Sequence, residues 1–504
     1  MTKSRFYKAT LLLFAACLLF GVSRVQTSLN RDRERLGITR LPPPENAPPV
    51  LAFTTVALGG FRGLISNALW IRASDLQEED KFFEMAQLAD WITKLEPHYV
   101  QVWLHQSWNM AYNISVKFND FSDRWRWVKR GIELLRDDGL RYNPNEMLIY
   151  RELGWIFQHK MGQNLDDASM YYKQEWANEM AVVFGKAKPN LDELIHPQTA
   201  DATNRVRLLV EKYKMDPQFI KDVDEHYGPL EWRLPEAHAI YWAAKGLEAA
   251  KANPAKVNQE DLITLRRVVY QDMLLSFQRG RLVMSPFGNA VEFGPNLEII
   301  PKASAAYEQA AEEDPNNRDH ILSAHRNFLR DAVYFLYENN RLAAAEYWFK
   351  YLGAKYPDKT ILDGQTNSFP RNLTLDEYAV GRVAEDVKET DHNRIQAILE
   401  GMLVNAYVSL VKDEDERYVG SKYLARKIWA TYQSKIPQER LPSIGLRPFD
   451  DIEREILNRL LDPQQGMSSE ARGVLRTKLR LPAEPKAPAP TTTTNLPPEK
   501  LSSR

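Results

Sequence analysis

Apolar residues along most of this chain recur at three- and four-residue intervals, and strand-like alternation is almost absent. Met85, Leu88, Ala89, Ile92 and Leu95 share one helix face. Ile395, Ile398, Leu399, Met402 and Ala406 do the same, as do Ile452, Ile456, Leu457 and Leu460. Prolines, which would interrupt such windows, are crowded into two stretches. LPPPENAPP at 41–49 and the tail beginning at Pro482 together hold 11 of the 29. Glycine is sparse, at 23 of 504 residues, which suits long helices better than turn-rich β architecture. The predicted fold class is all-α. With 44% hydrophobic and 26% charged residues, the body has the apolar material to bury a core.

The helical windows carry a recurring pattern. Ala303, Tyr307, Ala310 and Pro315 recur at the same offsets as Ala345, Phe349, Leu352 and Pro357, and again as Ala425, Trp429, Tyr432 and Pro437. A small residue admits a partner helix, an aromatic one turn later fills the gap, and proline ends the helix. Met85, Ala89, Ile92 and Pro97 form a looser copy. Tyr150, Leu153, Gly154 and Phe157 supply a W-x2-L-G-x2-Y-like first helix, with Ala168 and Tyr172 following as its second. On these residues the chain resembles the tetratricopeptide repeat family. The resemblance is degenerate, because the prolines at 315 and 357 stand 42 apart, against the family's 34. It implies a right-handed α-solenoid of antiparallel helix pairs, preceded here by one N-terminal hydrophobic helix, and it implies protein–protein binding. The stretch from Phe61 to Pro97 also looks like membrane-anchored repeat proteins of bacteria, a likeness that brings no activity with it.

Lys3, Arg5 and Lys8 precede an apolar run from Ala9 to Val22, and Arg24 ends it. Fourteen residues is short for a spanning helix and normal for a secretory signal. Phe6 and Tyr7 extend the run into the interfacial zone. An uncleaved anchor over residues 6–23 is expected, with the body outside the cytoplasm, on the periplasmic side of an inner membrane. Cleavage after Ser23 is the alternative. A second apolar stretch at 50–71 contains Arg62 and reads as the first helix of the body in preference to a second span. The expected organisation is an anchor or signal at 1–30, a Pro-rich linker at 31–50, a helical-repeat body at 51–481 and a Pro/Thr-rich tail at 482–504.

A net charge of −1 argues against nucleic-acid binding, which needs a clustered basic excess. Cys17 is the only cysteine and lies in the apolar run, so disulfides, thiolate zinc sites and a cysteine nucleophile are excluded. The nine histidines are scattered, with no H-E-x-x-H, and no phosphate loop, G-x-G-x-x-G or G-x-S-x-G occurs. No cofactor and no metal is expected.

Two segments concentrate candidate binding residues. The first, 226–243, holds Glu231, Trp232, Arg233, Glu236, His238 and Tyr241 at a turn leading into a helix. Glu231 and Arg233 are spaced for a charge-assisted pair, and Pro235 opens the helix. The second, 284–301, is an insertion with Phe287-Gly288 and Phe293-Gly294 that reads as either a packed plug or a binding loop. The leading expectation is a membrane-anchored, non-catalytic scaffold that binds a protein or peptide partner. The alternative is an enzyme acting on envelope polysaccharide through paired carboxylates drawn from Glu231, Glu236 or Glu292.

Overall fold

A computed structural model describes residues 2–35, 62–163, 165–185, 189–252, 254, 257–284, 291–385, 392–435, 446–464 and 466–483. Of these residues, 78% are helical, in agreement with the all-α expectation. The exception among them is one two-stranded antiparallel hairpin, Arg281–Met284 paired with Val291–Gly294. It lies partly inside the segment expected as a loop. Its strands of four residues are too short for alternation to register against a helical background, yet Leu282 opposite Phe293 is an ordinary cross-strand apolar pair.

The chain divides into two compact units, Met1–Lys117 with Trp127–Pro144, and Phe118–Arg126 with Asn145–Arg504. In the first unit, helix Thr2–Arg35 is continuous and runs five residues into the expected linker. Its side chains Leu13, Phe14, Leu18, Phe20 and Val22 are exposed. Among the described residues no helix is long and apolar enough to cross a membrane. The body of the unit begins with helix Arg62–Glu78, whose Ala73 and Leu76 are buried while Leu64 and Ile71 are exposed. A tight turn with Asp80 in the left-handed region (φ 58°) leads into helix Phe82–Leu95. Of the face read from the period, Met85, Ala89, Ile92 and Leu95 are buried there and Leu88 is half-buried. Leu69 and Trp70 pack against Ala89, Ile92 and Val102. Beyond this pair, the Pro97 carbonyl accepts from both Trp103 Nε1 (2.9 Å) and Asn143 Nδ2 (2.8 Å), which closes the unit on itself.

The second unit is a succession of helices joined by short turns, so that chain neighbours pack antiparallel. Ile300–Glu313, Arg318–Glu338 and Leu342–Lys355 follow one another this way, as do His392–Val411 and Asp415–Lys435. The small–aromatic pattern marks buried faces in its first two copies, whereas in the third the aromatic Trp429 is only half-buried. Ala303, Tyr307 and Ala310 are buried, with the Tyr307 ring 4.9 Å from Tyr270 and 5.5 Å from Phe328. Ala345, Phe349 and Leu352 are likewise buried, as are Ala425 and Tyr432.

The first-helix motif pairs differently from the expectation. Helix Met147–Trp155 packs mainly against helix Pro235–Ala252, while Phe157, in the turn Ile156–Gly162 that continues it, meets Trp176 of helix Ser169–Phe184 at 5.0 Å. A Cβ at Gly154 would stand 3.3 Å from the Ala239 carbonyl oxygen, so the glycine admits a helix some 80 residues further along. Tyr172, expected to complete the pair, stacks on Trp125 at 5.9 Å. The apolar spacing therefore shows which face is buried, while the partner is set by where the chain returns.

Candidate functional site

The two segments singled out by composition meet in the second unit. Asn296 Nδ2 donates to the Pro229 carbonyl (2.7 Å), and Lys302 Nζ donates to the carbonyls of Glu225 (2.6 Å) and Asp224 (3.2 Å). Around this junction the predicted residues separate into three groups.

Trp232, His238 and Tyr241 are core, each with at most 1% of its surface exposed. Trp232 Nε1 donates to Asp224 Oδ1 at 2.9 Å. His238 Nε2 lies 2.9 Å from the Trp232 carbonyl, which can only accept, so this nitrogen carries the proton. Its ring sits among Phe157, Trp176 and Trp232. The Tyr241 hydroxyl accepts from the Asp216 backbone N–H at 2.8 Å. Burial raises the Tyr241 phenol above its ordinary value.

Glu231 and Arg233 form the second group, a bidentate pair at 2.7 and 2.6 Å. Arg233 also donates its backbone N–H to the same carboxylate, at 3.2 Å.

The third group is ionic and buried. Glu236, at the start of helix Pro235–Ala252, has 2% of its surface exposed. Its Oε1 lies 3.4 Å from Arg279 Nε, and its Oε2 has no hydrogen-bond partner. Lys173, from helix Ser169–Phe184, is 1% exposed and holds its ammonium 5.9 Å from the Phe293 ring centroid. Asp272, from helix Gln259–Arg279, is fully buried; its Oδ2 accepts from Gln158 Nε2 at 2.7 Å. Asp272 Oδ1 and Gln158 Oε1 have no hydrogen-bond partner.

Gln158 owes its position to a wide helical turn, Ile156–Gly162, with i to i+5 bonding. This is one of four such turns among the described residues. Widened turns of this kind re-aim side chains and free carbonyls, and they recur at functional sites. The Gly162 carbonyl, at the end of the turn, accepts from Arg279.

The electrostatics follow from enclosure. Burial pushes the Glu236 carboxyl above its ordinary range, against the pull of Lys173 and Arg279. Burial, reinforced by the Glu236 charge, pushes Asp272 well above the carboxylate range; the Gln158 hydrogen bond and Arg279 oppose it. The Lys173 ammonium is pushed down to about 8 by burial, with Glu236 pulling the other way. Perturbed, mutually interacting groups of this sort mark candidate sites. Phe287 lies outside the described residues. Glu292 is placed only by its backbone, opposite Val283.

Composition did not point to Lys173, Asp272, Arg279 or Gln158. A signal was present, because Asp272 interrupts the stripe Leu265, Val268, Val269, Met273 and Phe277, and Lys173 sits beside Tyr172, Trp176, Ala177 and Met180. A charge inside an apolar helix face must find a partner or lose its proton.

A second buried network was also missed. Ser304 Oγ and the Tyr356 hydroxyl each lie 2.9 Å from one ring nitrogen of His325. Burial holds the imidazole down at about 4, so it is neutral at ordinary pH. This is a nucleophile–base spacing, but Ser304 and His325 are 3% and 0% exposed. The Ser304 N–H is committed inside helix Ile300–Glu313, which leaves it unable to serve an oxyanion.

A polar cleft of about 270 Å³ opens where the turns near Asn296, Asn339 and Asp413 converge. Its arginines are engaged by its acids: Arg281 by Glu414, Arg341 by Glu298 and Glu416, and Arg417 by Glu414.

Comparison with protein-family models, with curated proteins and with solved structures gives no match.

Proposed function

We propose that this chain is a membrane-tethered, non-catalytic scaffold that binds a protein or peptide partner on the surface of a tetratricopeptide-like helical array. The observation that carries the reading is an aromatic row on helix Leu342–Lys355. That helix buries Ala345, Phe349 and Leu352 and leaves Tyr347 61% exposed. Trp348 and Tyr351 continue the row, with ring centroids 5.4 Å (Tyr347–Trp348) and 5.3 Å (Trp348–Tyr351) apart. Large rings with polar tips, held on a rigid helix beside Glu346 and Lys350, have the chemistry of binding hot spots. A right-handed solenoid stacking such pairs would present the row on a continuous surface.

The tether rests on the apolar run Ala9–Val22, whose fourteen residues give about 21 Å of helix, shorter than a bilayer's hydrocarbon core, with Phe6 and Tyr7 extending it into the interfacial zone. Leu13, Phe14, Leu18 and Val22 are exposed along this helix, and a bilayer would take their apolar surface out of water. The basic flank before them favours a body outside the cytoplasm. Two features favour scaffold over polysaccharide hydrolysis. Glu231 is held by Arg233 and Glu236 is enclosed, whereas glycoside chemistry needs two carboxylates across an open groove.

The test has two arms. A reporter active only outside the cytoplasm, fused after residue 480, should be active, and the fusion should stay with membranes through carbonate washing. An inactive reporter with expression confirmed overturns the placement. A photo-crosslinking residue in place of Tyr347 should give one discrete adduct in cells, lost in Trp348→Ala. Adducts insensitive to Trp348→Ala overturn the aromatic surface.

A further inference from the structure

The geometry points to a second membrane contact: helix Arg62–Glu78 docks on the bilayer surface, with Leu64, Ala68 and Ile71 in the interfacial zone and its acidic C-terminal end in water. The proposal rests on the membrane tether and adds a docking surface to it.

The helix has two apolar faces, and the body uses one. Ala73 and Leu76 are buried, and Leu69 and Trp70 pack against Ala89, Ile92 and Val102. Leu64, Ala68 and Ile71 follow one another at i, i+4 and i+7 along the other face, and all three are exposed. Leu64 keeps 65% of its surface open and Ile71 64%. A Cβ built on Gly63, just before them, meets nothing within 4 Å. Single exposed aliphatics are ordinary on a protein surface, whereas a contiguous stripe of them marks a contact.

The distribution of charge selects a bilayer as that contact. Continued toward the C-terminus, the same stripe reaches Asp75 and Glu78, both exposed. Polarity therefore changes along the helix axis, as depth does for a helix tilted into a membrane surface. A protein-binding patch has its polar groups as a rim around the apolar centre. Acids in the last turn oppose the helix macrodipole, so their place there does not serve the helix itself. The twenty-five residues from Val50 to Ser74 hold no acid, and their only charges are Arg62 and Arg72. Sequence of that kind suits anionic headgroups. Arg72 is half exposed and meets Glu79 only at 3.8 Å, which leaves its guanidinium open to a lipid phosphate. Seventeen residues ending in acids are too short and too polar to span, so the contact is interfacial.

The test is a depth measurement with a nitroxide label on the full-length protein in phosphatidylethanolamine–phosphatidylglycerol bilayer discs. Cys17→Ser gives a cysteine-free background. Single labels at Leu64→Cys, Ala68→Cys and Ile71→Cys should collide with oxygen in preference to a water-soluble nickel chelate, at a depth of about 5–10 Å. Labels at Ser74→Cys and Glu78→Cys should show the reverse preference. Ile71→Asp should move the label at 68 toward the nickel chelate and leave the urea midpoint in detergent unchanged, because the side chain it replaces is exposed in the fold. Labels at 64, 68 and 71 that match Ser74, or a label at 68 that ignores Ile71→Asp, overturn the docking. Labels there shielded from both reagents mean a covering of protein, a second copy included, and overturn it as well. Carbonate washing separates the two readings: retention with water-exposed labels removes the docking alone, and release removes the tether and the docking together.

Discussion

His325 and Glu236 are both buried polar side chains of the second unit, 0% and 2% exposed, yet their surroundings are opposite. Around His325 every hydrogen-bond partner is neutral, and the nearby charges of Glu308 and Lys355 pull in opposite directions. Each ring nitrogen has a hydroxyl at 2.9 Å, Tyr307 stacks on the ring at 5.7 Å, and no charge is required of the imidazole. Around Glu236 two cations and a second carboxyl share one enclosure, and an oxygen on each acid lacks a hydrogen-bond partner. The first arrangement is a finished part of a core. The second holds charge that packing alone did not need, since an apolar replacement of such clusters is often as stable. The difference separates a residue kept for structure from one that can respond to its environment.

The largest expected effect breaks the charged side of this comparison. Glu236→Leu removes the carboxylate that Arg279 faces at 3.4 Å and should cost about 4 kcal/mol in urea unfolding at neutral pH, within the range for breaking a buried pair. Adding Arg279→Leu should return part of that loss, because one uncompensated cation goes with it. A double variant no better than the single one would mean that Glu236 acts through packing.

The next effect is a pH dependence. Lys173 is held at about 8 in the fold against 10.5 when free, so between those values the unfolded chain binds a proton that the native state lacks. Stability should then rise with pH across that window, by roughly 3 kcal/mol. Asp272 and Glu236 work in the other direction, since carboxyls raised by burial lower stability as pH climbs out of the ordinary carboxylate range. Lys173→Met should remove the alkaline rise and leave the acidic arm. An alkaline rise unchanged in Lys173→Met would place its origin elsewhere.

The same contrast explains what the amino-acid order made legible. Helical period located the buried faces well, as with Met85, Ala89 and Ile92 or Ala303, Tyr307 and Ala310, because burial of a stripe is a local property of a helix. Pairing was not local. Gly154 looked like the first half of a repeat, and its close neighbour is Ala239. The hairpin was hidden by strands of four residues. In the candidate site, aromatic density led to Trp232 and Tyr241, which are there to pack, and the same window happened to include Glu236. Its partners Lys173, Asp272 and Arg279 come from two other helices and declare themselves only as charges within apolar stripes. Charge set within an apolar stripe marks this cluster more directly than ring density does.

The smallest effect at neutral pH tests the neutral side. His325→Phe keeps the ring among Tyr307 and Phe328 and removes two hydrogen bonds. Ser304 sits in a helix, where its hydroxyl can turn to a carbonyl one turn back. Tyr356 is half-buried and reaches water. The cost should therefore be only about 1 kcal/mol. Acid reverses the order. His325 is held at about 4 in the fold against 6.5 when free, so on acidification the unfolded chain takes up a proton that the native ring refuses, and wild type loses stability as pH falls through that interval. His325→Phe lacks this loss, so its stability should cross that of wild type below about pH 6 and exceed it further down. Urea midpoints of the two proteins between neutral pH and about pH 4.5 would show the crossing. Parallel curves would mean that the imidazole is charged in the fold and that His325 belongs with Glu236 after all.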